Sequence, residues 1–365
     1  MFVDSGSGNP TPTSLPEYVR AFLRDVDEHR HFTGRQIPAT HGEVALRSFQ
    51  QKPLEKTMHL QLIASLDPYG EHRAHVIAHP LVHALRLNTI KPITESPRHV
   101  LKRLSRECGE KPLWIDVKGR QLRVTQYTDT FYGSVEVSHR LHVETPVDVF
   151  FKNTVARIVE VQNGNRLILS RIPRRTLGKG EAINILDPSL EIEGYLTAQD
   201  IAYLRAAAKL NIFNVLASFF ERYQDLIDIH RYHPKAQVIA KIESARGMEF
   251  VRKFDPEVII PSDFHFMAAQ DDLYINMGAD KPQILNAVQD IIREDPKAIV
   301  ASRILTSLEY FNEVTMADLM MIAHLISLGY RRFMLSDGLC YDPILFAKAM
   351  AVWQQIVTLY QGETP

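Results

Sequence analysis

The sequence predicts an α/β fold: a (β/α)8 barrel of the TIM type, with a small β-barrel domain inserted after its third strand. Three observations lead there. Eight short apolar runs alternate with helical segments, the alternation breaks once between the third and fourth runs, and each run ends in polar residues. The runs are HLQLIASL (59–66), HALRLNT (83–89), PLWIDVKG (112–119), FNVLASFF (213–220), AQVIAKIE (236–243), PEVIIPSD (256–263), KAIVASRI (297–304) and RRFMLSDG (331–338). Mostly continuous apolar runs suit parallel strands buried on both faces. Eight in series suit a closed barrel, whose chemistry sits at the carboxyl ends of its strands.

Each segment has its own justification. Residues 1–57 read as a Gly/Pro/Ser/Thr-rich tail followed by a helical stretch. There Ser14 and Glu17 form a capping-box pattern, and Val19, Phe22, Leu23 and Val26 follow at helical spacing. Residues 58–123 and 191–365 read as the barrel. Residues 124–190 carry Thr/Val-rich alternating stretches, and Asn163-Gly164 between two of them is a hairpin signal, so this part reads as the inserted β domain. Thr197 with Asp200 marks the helix that returns to the barrel. A final helix is expected over about 342–361.

Composition narrows the function classes. The 365 residues are 45% hydrophobic and 23% charged with a net charge of -1, so no electrostatic signal points to nucleic acid or a membrane surface. Cys108 and Cys340 form no disulfide framework. No apolar run is long enough for a bilayer, and the first residues lack a signal-peptide pattern. A cytoplasmic location, a small-molecule substrate and a homo-oligomeric assembly are the expectations.

The chemistry-bearing residues lie at the run ends. Arg86 and Asn88 in LRLN can offer a fork to phosphate or carboxylate oxygens; the plainer alternative is a salt-bridged arginine at the barrel rim. Asp116, Lys118 and Arg123 in IDVKGRQLRV suit a cation and a polyphosphate, or else a solvated turn. Lys241 and Glu243 in AKIESARG are two apart on a strand and point the same way. A metal held by Glu243, with Lys241 beside a developing negative charge, gives both a partner; a structural ion pair is the alternative. A second metal carboxylate is expected after the sixth strand. Asp263 ends PEVIIPSD and Asp272 lies later in MAAQDDLYINMGADK; strand geometry favours Asp263. Ser302 in VASR and Ser336 in MLSDG are hydroxyls at strand ends, open to a carboxylate or phosphate.

Taken in order, these elements resemble the pyruvate kinase family. LRLN resembles its Ala-Arg-hydrophobic-Asn element, and IDVKGRQLR its Asp-Thr-Lys-Gly-Pro-Glu-Ile-Arg. KIESARG resembles its Lys-Ile-Glu-Asn signature. LTAQD with VLASFF resembles the start of its fourth strand, IVASRIL its Cys-Ala-Thr-Gln-Met-Leu, and the segment ending MLSDG its Met-Leu-Ser-Gly. The resemblance spans about residues 58–355. It implies phosphoryl transfer between phosphoenolpyruvate and ADP with Mg²⁺ or Mn²⁺. Arg86 and Lys241 would then face the phosphoryl group, with Glu243 and one of Asp263 and Asp272 on the metal. Ser302 would stand for a Thr that binds the substrate carboxylate, and Asn88 and Asp116 would form half of a potassium site. Lys118, Arg123 and Lys179 would lie along the nucleotide phosphates, with Pro68 near the adenine.

The departures are equally specific. The remaining potassium-site positions are Ile90 and Val117, which have no side-chain oxygen. Asp271 stands where the family has a glycine, the Gly-Pro-Glu step reads Gly119-Arg120-Gln121, and the family's C-terminal regulatory domain has no counterpart. The expected activity is therefore a divergent pyruvate kinase. The alternatives are a metal-dependent enolpyruvate lyase or aldolase, since KIESARG also resembles the Ile-Glu-(Ser/Thr)-Ala-Arg-Gly of citrate-lyase-type barrels, and an inactive homologue with a binding role.

Overall fold

A computed structural model describes residues 59–129, 133–151, 154–170, 178–255 and 264–361. The helical stretch expected over 14–26 lies outside these residues. The chain opens with β1 (Gln61–Leu66), α1 (Arg73–Ala78), β2 (Ala84–Asn88), α2 (Pro97–Cys108) and β3 (Leu113–Val117). Eight strands follow before the next barrel strand and six of them form one sheet: β4 (Val124–Asp129), β5 (Ser134–Val137), β7 (Val147–Phe151), β8 (Thr154–Gln162), β9 (Arg166–Leu169) and β10 (Ile183–Ile185). The two-residue strand β6 (Leu141–His142) pairs with the eighth strand of this stretch, β11 (Glu191–Ile192). The barrel then resumes with α3 (Ala198–Leu210), β12 (Asn214–Ala217), α4 (Tyr223–Tyr232), β13 (Gln237–Ile242), α5 (Ala245–Arg252) and β14 (His265–Ala269). It ends with α6 (Gln270–Asn276), α7 (Ile284–Glu294), β15 (Ile299–Ala301), α8 (Ser307–Phe311), α9 (Met316–Leu328), β16 (Arg332–Met334), α10 (Asp337–Tyr341) and α11 (Pro343–Gln361).

The eight barrel strands close in the order β1-β16-β15-β14-β13-β12-β3-β2, and every neighbouring pair is parallel. Seven of the eight apolar runs supply a barrel strand. The sixth run, PEVIIPSD, lies outside the described residues, and the sixth strand of the closed barrel is the next apolar stretch, His265–Ala269. Both stretches are apolar runs of strand length, and periodicity alone does not choose between them.

Side chains alternate along a strand with period two, and this alternation builds the site. One set, among them Leu62, Leu85, Ile115, Val215, Val238, Phe266, Val300 and Phe333, faces the helices in a single large core. The other set, Ile63, Ala84, Trp114, Leu216, Ile239, Met267, Ile299 and Met334, fills the barrel interior as a separate cluster, joined by Ala301 of β15. Two residues further on, toward the carboxyl ends, the inward positions become Ser65, Arg86, Asp116, Ser218, Lys241, Ala269, Ala301 and Ser336. An apolar plug is thus capped by a polar layer.

After β3 the chain leaves for the six-stranded antiparallel sheet, in the order β10-β7-β8-β9-β5-β4. The sheet curls until its edges meet: Val124 N–H donates to Glu181 O at 2.9 Å and Ile183 N–H to Leu122 O at 2.9 Å. Its core is its own, built on Val135, Val149, Phe151, Ile158 and Leu167. Asn163 and Gly164 sit between β8 and β9 at φ 53° and 76°, both left-handed, as the Asn-Gly signal requires. Thr197 and Asp200 form the expected capping box at the start of α3. Among the described residues, no helix is long and apolar enough to cross a membrane.

Candidate active site

Asp116 is the centre of the polar layer. It is fully buried, and three cations converge on it. Arg86 Nε donates to its Oδ2 at 2.8 Å, Lys118 Nζ lies 3.0 Å from the same oxygen, and Lys241 Nζ lies 3.6 Å from Oδ1. Burial opposes ionisation of Asp116, but Lys118, Lys241 and Arg86 outweigh it and hold the carboxyl well below its ordinary range. Ser218 bridges the group: Lys241 Nζ donates to its hydroxyl at 2.8 Å, and the hydroxyl donates to Asp116 Oδ1 at 3.2 Å.

Glu243 follows Ile242 just past the end of β13 and is 1% exposed. The Phe219 N–H donates to its Oε2 at 2.7 Å. Its Oε1 lies 2.9 Å from Lys241 Nζ and takes no aligned hydrogen bond among the described residues. Burial alone would lower the pKa of Lys241, but Asp116 and Glu243 raise it, so the ammonium stays charged. Asp272 reaches Glu243 from the first turn of α6. Burial, and then the Glu243 charge, push its carboxyl up to about 7. Two carboxylates in contact, one of them still holding a proton near neutrality, carry more negative charge than Lys241 alone offsets.

This donor pair fits a divalent cation of the Mg²⁺ or Mn²⁺ type, which binds through one or two carboxylates and takes its other oxygens from water and ligand. Three or more ligand-type side chains do not cluster anywhere among the described residues. The pair comprises Glu243 and Asp272. Asp263, which strand geometry favoured, lies outside the described residues, and the sixth strand ends at Ala269, three residues before Asp272.

Arg86, Asn88, Asp116, Lys118, Lys241 and Glu243 share the barrel mouth. Arg123 borders it, donating to Gly180 O at 2.6 Å while its charge feels Asp116, Asp272 and Glu243. Ser302 follows β15 in a left-handed conformation, φ 67°, and its carbonyl accepts from Gln270 Nε2 at 2.9 Å. Ser336 is spent on structure: its hydroxyl caps α10 through Leu339 N–H and donates to Glu309. Lys179 is exposed on the return from the inserted sheet, and Pro68 is buried with its carbonyl accepting from Arg103.

Burial pushes Lys118 down to about 8, with Lys241 and Arg86 adding to the effect and Asp116 opposing it. Its backbone N–H donates to Asp200 at 2.8 Å, which ties the end of β3 to the start of α3. Next along the chain, Gly119 has φ 50°, and a Cβ there would collide with Ser218 O and the Tyr195 ring. Arg120 then pairs with Asp225 and lies over that ring at 4.9 Å. The departure Gly119-Arg120-Gln121 is therefore a buried anchor for the site.

Residues 154–339 match the family model for the barrel domain of pyruvate kinase, just over half of the chain. The chain belongs to the pyruvate kinase family. The match covers five barrel strands, β12 to β16, with Lys241, Glu243 and Asp272; Arg86, Asn88, Asp116 and Lys118 come from β2 and β3, before it. No curated protein matches the chain.

Three positions that contact the polar layer escaped the sequence reading. Ser65 accepts from Arg86 at 3.0 Å, Ser218 joins Lys241 to Asp116, and Asp337 takes Arg86 Nη1 at 2.6 Å and Asn88 Nδ2 at 2.8 Å. Each follows or ends a barrel strand, so the signal was available in the period-two alternation. For Asp337 it was also available in the acid at the glycine position of MLSDG.

Proposed function

We propose that this chain is a metal-dependent enzyme of enolpyruvate chemistry. Its leading form is the pyruvate kinase reaction, phosphoryl transfer between phosphoenolpyruvate and ADP. The observation that carries the reading is the convergence of Lys241, Glu243 and Asp272, with Lys241 Nζ 2.9 Å from Glu243 and the Asp272 carboxyl raised to about 7. Glu243 and Asp272 would hold Mg²⁺ or Mn²⁺, which supplies positive charge to ligand oxygens when bound.

In phosphoryl transfer, the bond between the bridging oxygen and phosphorus breaks and a bond to a terminal ADP oxygen forms. The leaving group is the enolate of pyruvate, which then takes a proton at carbon. Catalysis of this kind rests on positioning and charge neutralisation. Lys241 stays charged beside the developing enolate, and Arg86 is held rigid by Asp116 and Ser65. Lys118, Arg123 and the exposed Lys179 stand on the side from which nucleotide phosphates would approach.

One observation favours a second reading, a lyase or aldolase acting on an unphosphorylated 2-oxo acid. Arg86, the cation that would meet the phosphoryl group, is engaged by two carboxylates, Asp116 and Asp337. Both readings share the enolate end of the site. A thermal-shift screen with Mg²⁺ or Mn²⁺ and phosphoenolpyruvate, pyruvate, oxalate, ADP and ATP tests them. Metal-dependent stabilisation by oxalate or phosphoenolpyruvate supports the proposal, and no response to any of the five with either metal overturns it. Stabilisation by ADP or ATP supports the kinase form.

A further inference from the structure

Arg86 has a fixed fork of donors, and each of its three nitrogens is engaged. Nε and Nη2 go to Asp116, and Nη1 goes to Ser65 and Asp337. The two carboxylates differ in depth. The Asp116 side chain is fully buried, whereas that of Asp337 is 24% exposed and stands on the solvent side of the guanidinium. Asp337 also accepts from Asn88 at 2.8 Å and lies 3.9 Å from Lys91 Nζ, whose ammonium sits over the Tyr341 ring at 4.5 Å. An arginine fork, an amide N–H and a lysine are the groups a phosphate would be expected to recruit. Here a side chain of the protein already occupies them.

We infer that Asp337 is a specificity-determining residue. Its carboxylate holds the anion position formed by Arg86, Asn88 and Lys91, and so favours the second, lyase or aldolase reading over the kinase form: it selects ligands that carry a carboxylate and an enolate or carbonyl oxygen but no phosphoryl group. The inference rests on the enolpyruvate reading of Lys241, Glu243 and Asp272. A phosphate ester must displace Asp337 from its partners and then sit beside its charge, while a pyruvate-like ligand needs only the enolate end. The selection acts by repulsion of the wrong ligand as much as by attraction of the right one.

The test compares the unmodified protein with Asp337→Asn, which keeps the shape and removes the charge, and with Asp337→Gly, which removes the side chain. Dissociation constants for oxalate, phosphoenolpyruvate and inorganic phosphate are measured by calorimetry with Mn²⁺, and folding is checked by circular dichroism. The unmodified protein should bind oxalate more tightly than phosphoenolpyruvate. Both variants should bind phosphoenolpyruvate and phosphate about tenfold or more tightly than the unmodified protein does, and the ratio of phosphoenolpyruvate to oxalate affinity should rise by a similar factor. Folded variants with unimproved phosphoenolpyruvate and phosphate binding overturn the inference. Should the unmodified protein fail to bind oxalate while phosphate still tightens in the variants, the anion position stands and the enolpyruvate reading falls. Failure of both arms removes both.

Discussion

Lys241→Met is the substitution that most directly separates chemistry from architecture. It keeps most of the apolar stem and deletes an ammonium that lies 2.9 Å from Glu243 Oε1 and 3.6 Å from Asp116 Oδ1. At an effective dielectric of about 20, a unit charge pair roughly 4 Å apart is worth about 4 kcal/mol before desolvation is counted. Removing one partner of a buried pair costs about 3–5 kcal/mol, because the other is left unpaired. The lower figure applies here, since Asp116 keeps Arg86 and Lys118. A domain stabilised by roughly 5–15 kcal/mol survives that loss. Turnover loses the electrostatic stabilisation of the enolate, about 3 kcal/mol or roughly a hundredfold. Metal binding moves the other way. Lys241 is a cation beside Glu243 and Asp272, so at pH 8 the variant should bind Mn²⁺ at least as well as the unmodified protein. The assays are pyruvate release from phosphoenolpyruvate with ADP, deuterium exchange into the methyl group of pyruvate, and calorimetric Mn²⁺ titration. Undiminished turnover in the variant would refute the role assigned to Lys241. Loss of Mn²⁺ binding together with turnover would reduce it to a structural ion pair.

Three further outcomes follow from the same geometry. Glu243→Gln removes a full negative charge from a hard-cation pair, so Mn²⁺ affinity by calorimetry should fall by about tenfold or more. Asp272, raised to about 7, holds a proton below that pH in the metal-free protein, so metal must expel it. Titrations in buffers of different ionisation enthalpy should show about one proton released per Mn²⁺ at pH 6 and close to none at pH 8.5, with affinity rising through that window and Asp272→Asn abolishing the release. Gly119→Ala places a Cβ against Ser218 O and Tyr195 at a left-handed φ, and urea unfolding should show a loss of about 2 kcal/mol or more.

Much of the barrel was legible because parallel strands buried on both faces leave continuous apolar runs. Lys241 and Glu243 stood out because two charges ending such a run are costly without partners. The sixth strand was not legible: PEVIIPSD and HFMAA are both short and apolar, and the choice between them decided which aspartate follows the strand. Asp272 comes from a helix turn, and no strand periodicity announces that. Asp337 was missed for a different reason. Reading MLSDG for its serine directed attention to a hydroxyl that caps a helix, while the acid beside it closes onto Arg86 across the barrel mouth, 251 residues away in sequence.

The arrangement around Asp116 gives a physical account of the departures at the potassium positions. A carboxylate at the bottom of the mouth can be neutralised by a bound monovalent cation or by side chains, and here the side chains suffice. Arg86, Lys118 and Lys241 all lie within 3.6 Å of it, and Ser218 takes the remaining approach to Oδ1. Ile90 and Val117 could not supply side-chain oxygens to an ion, and none is needed to balance Asp116. The same crowding leaves a mark on Lys118, lowered to about 8 by burial and by two like charges. Its ammonium is therefore the least secure of the three, while Lys241, drawn upward by Asp116 and Glu243, holds its charge more firmly. On the proposed reading, the charge that an enolate requires is thus held more firmly than the charge on the nucleotide side, which supports the enolate half of the proposed chemistry.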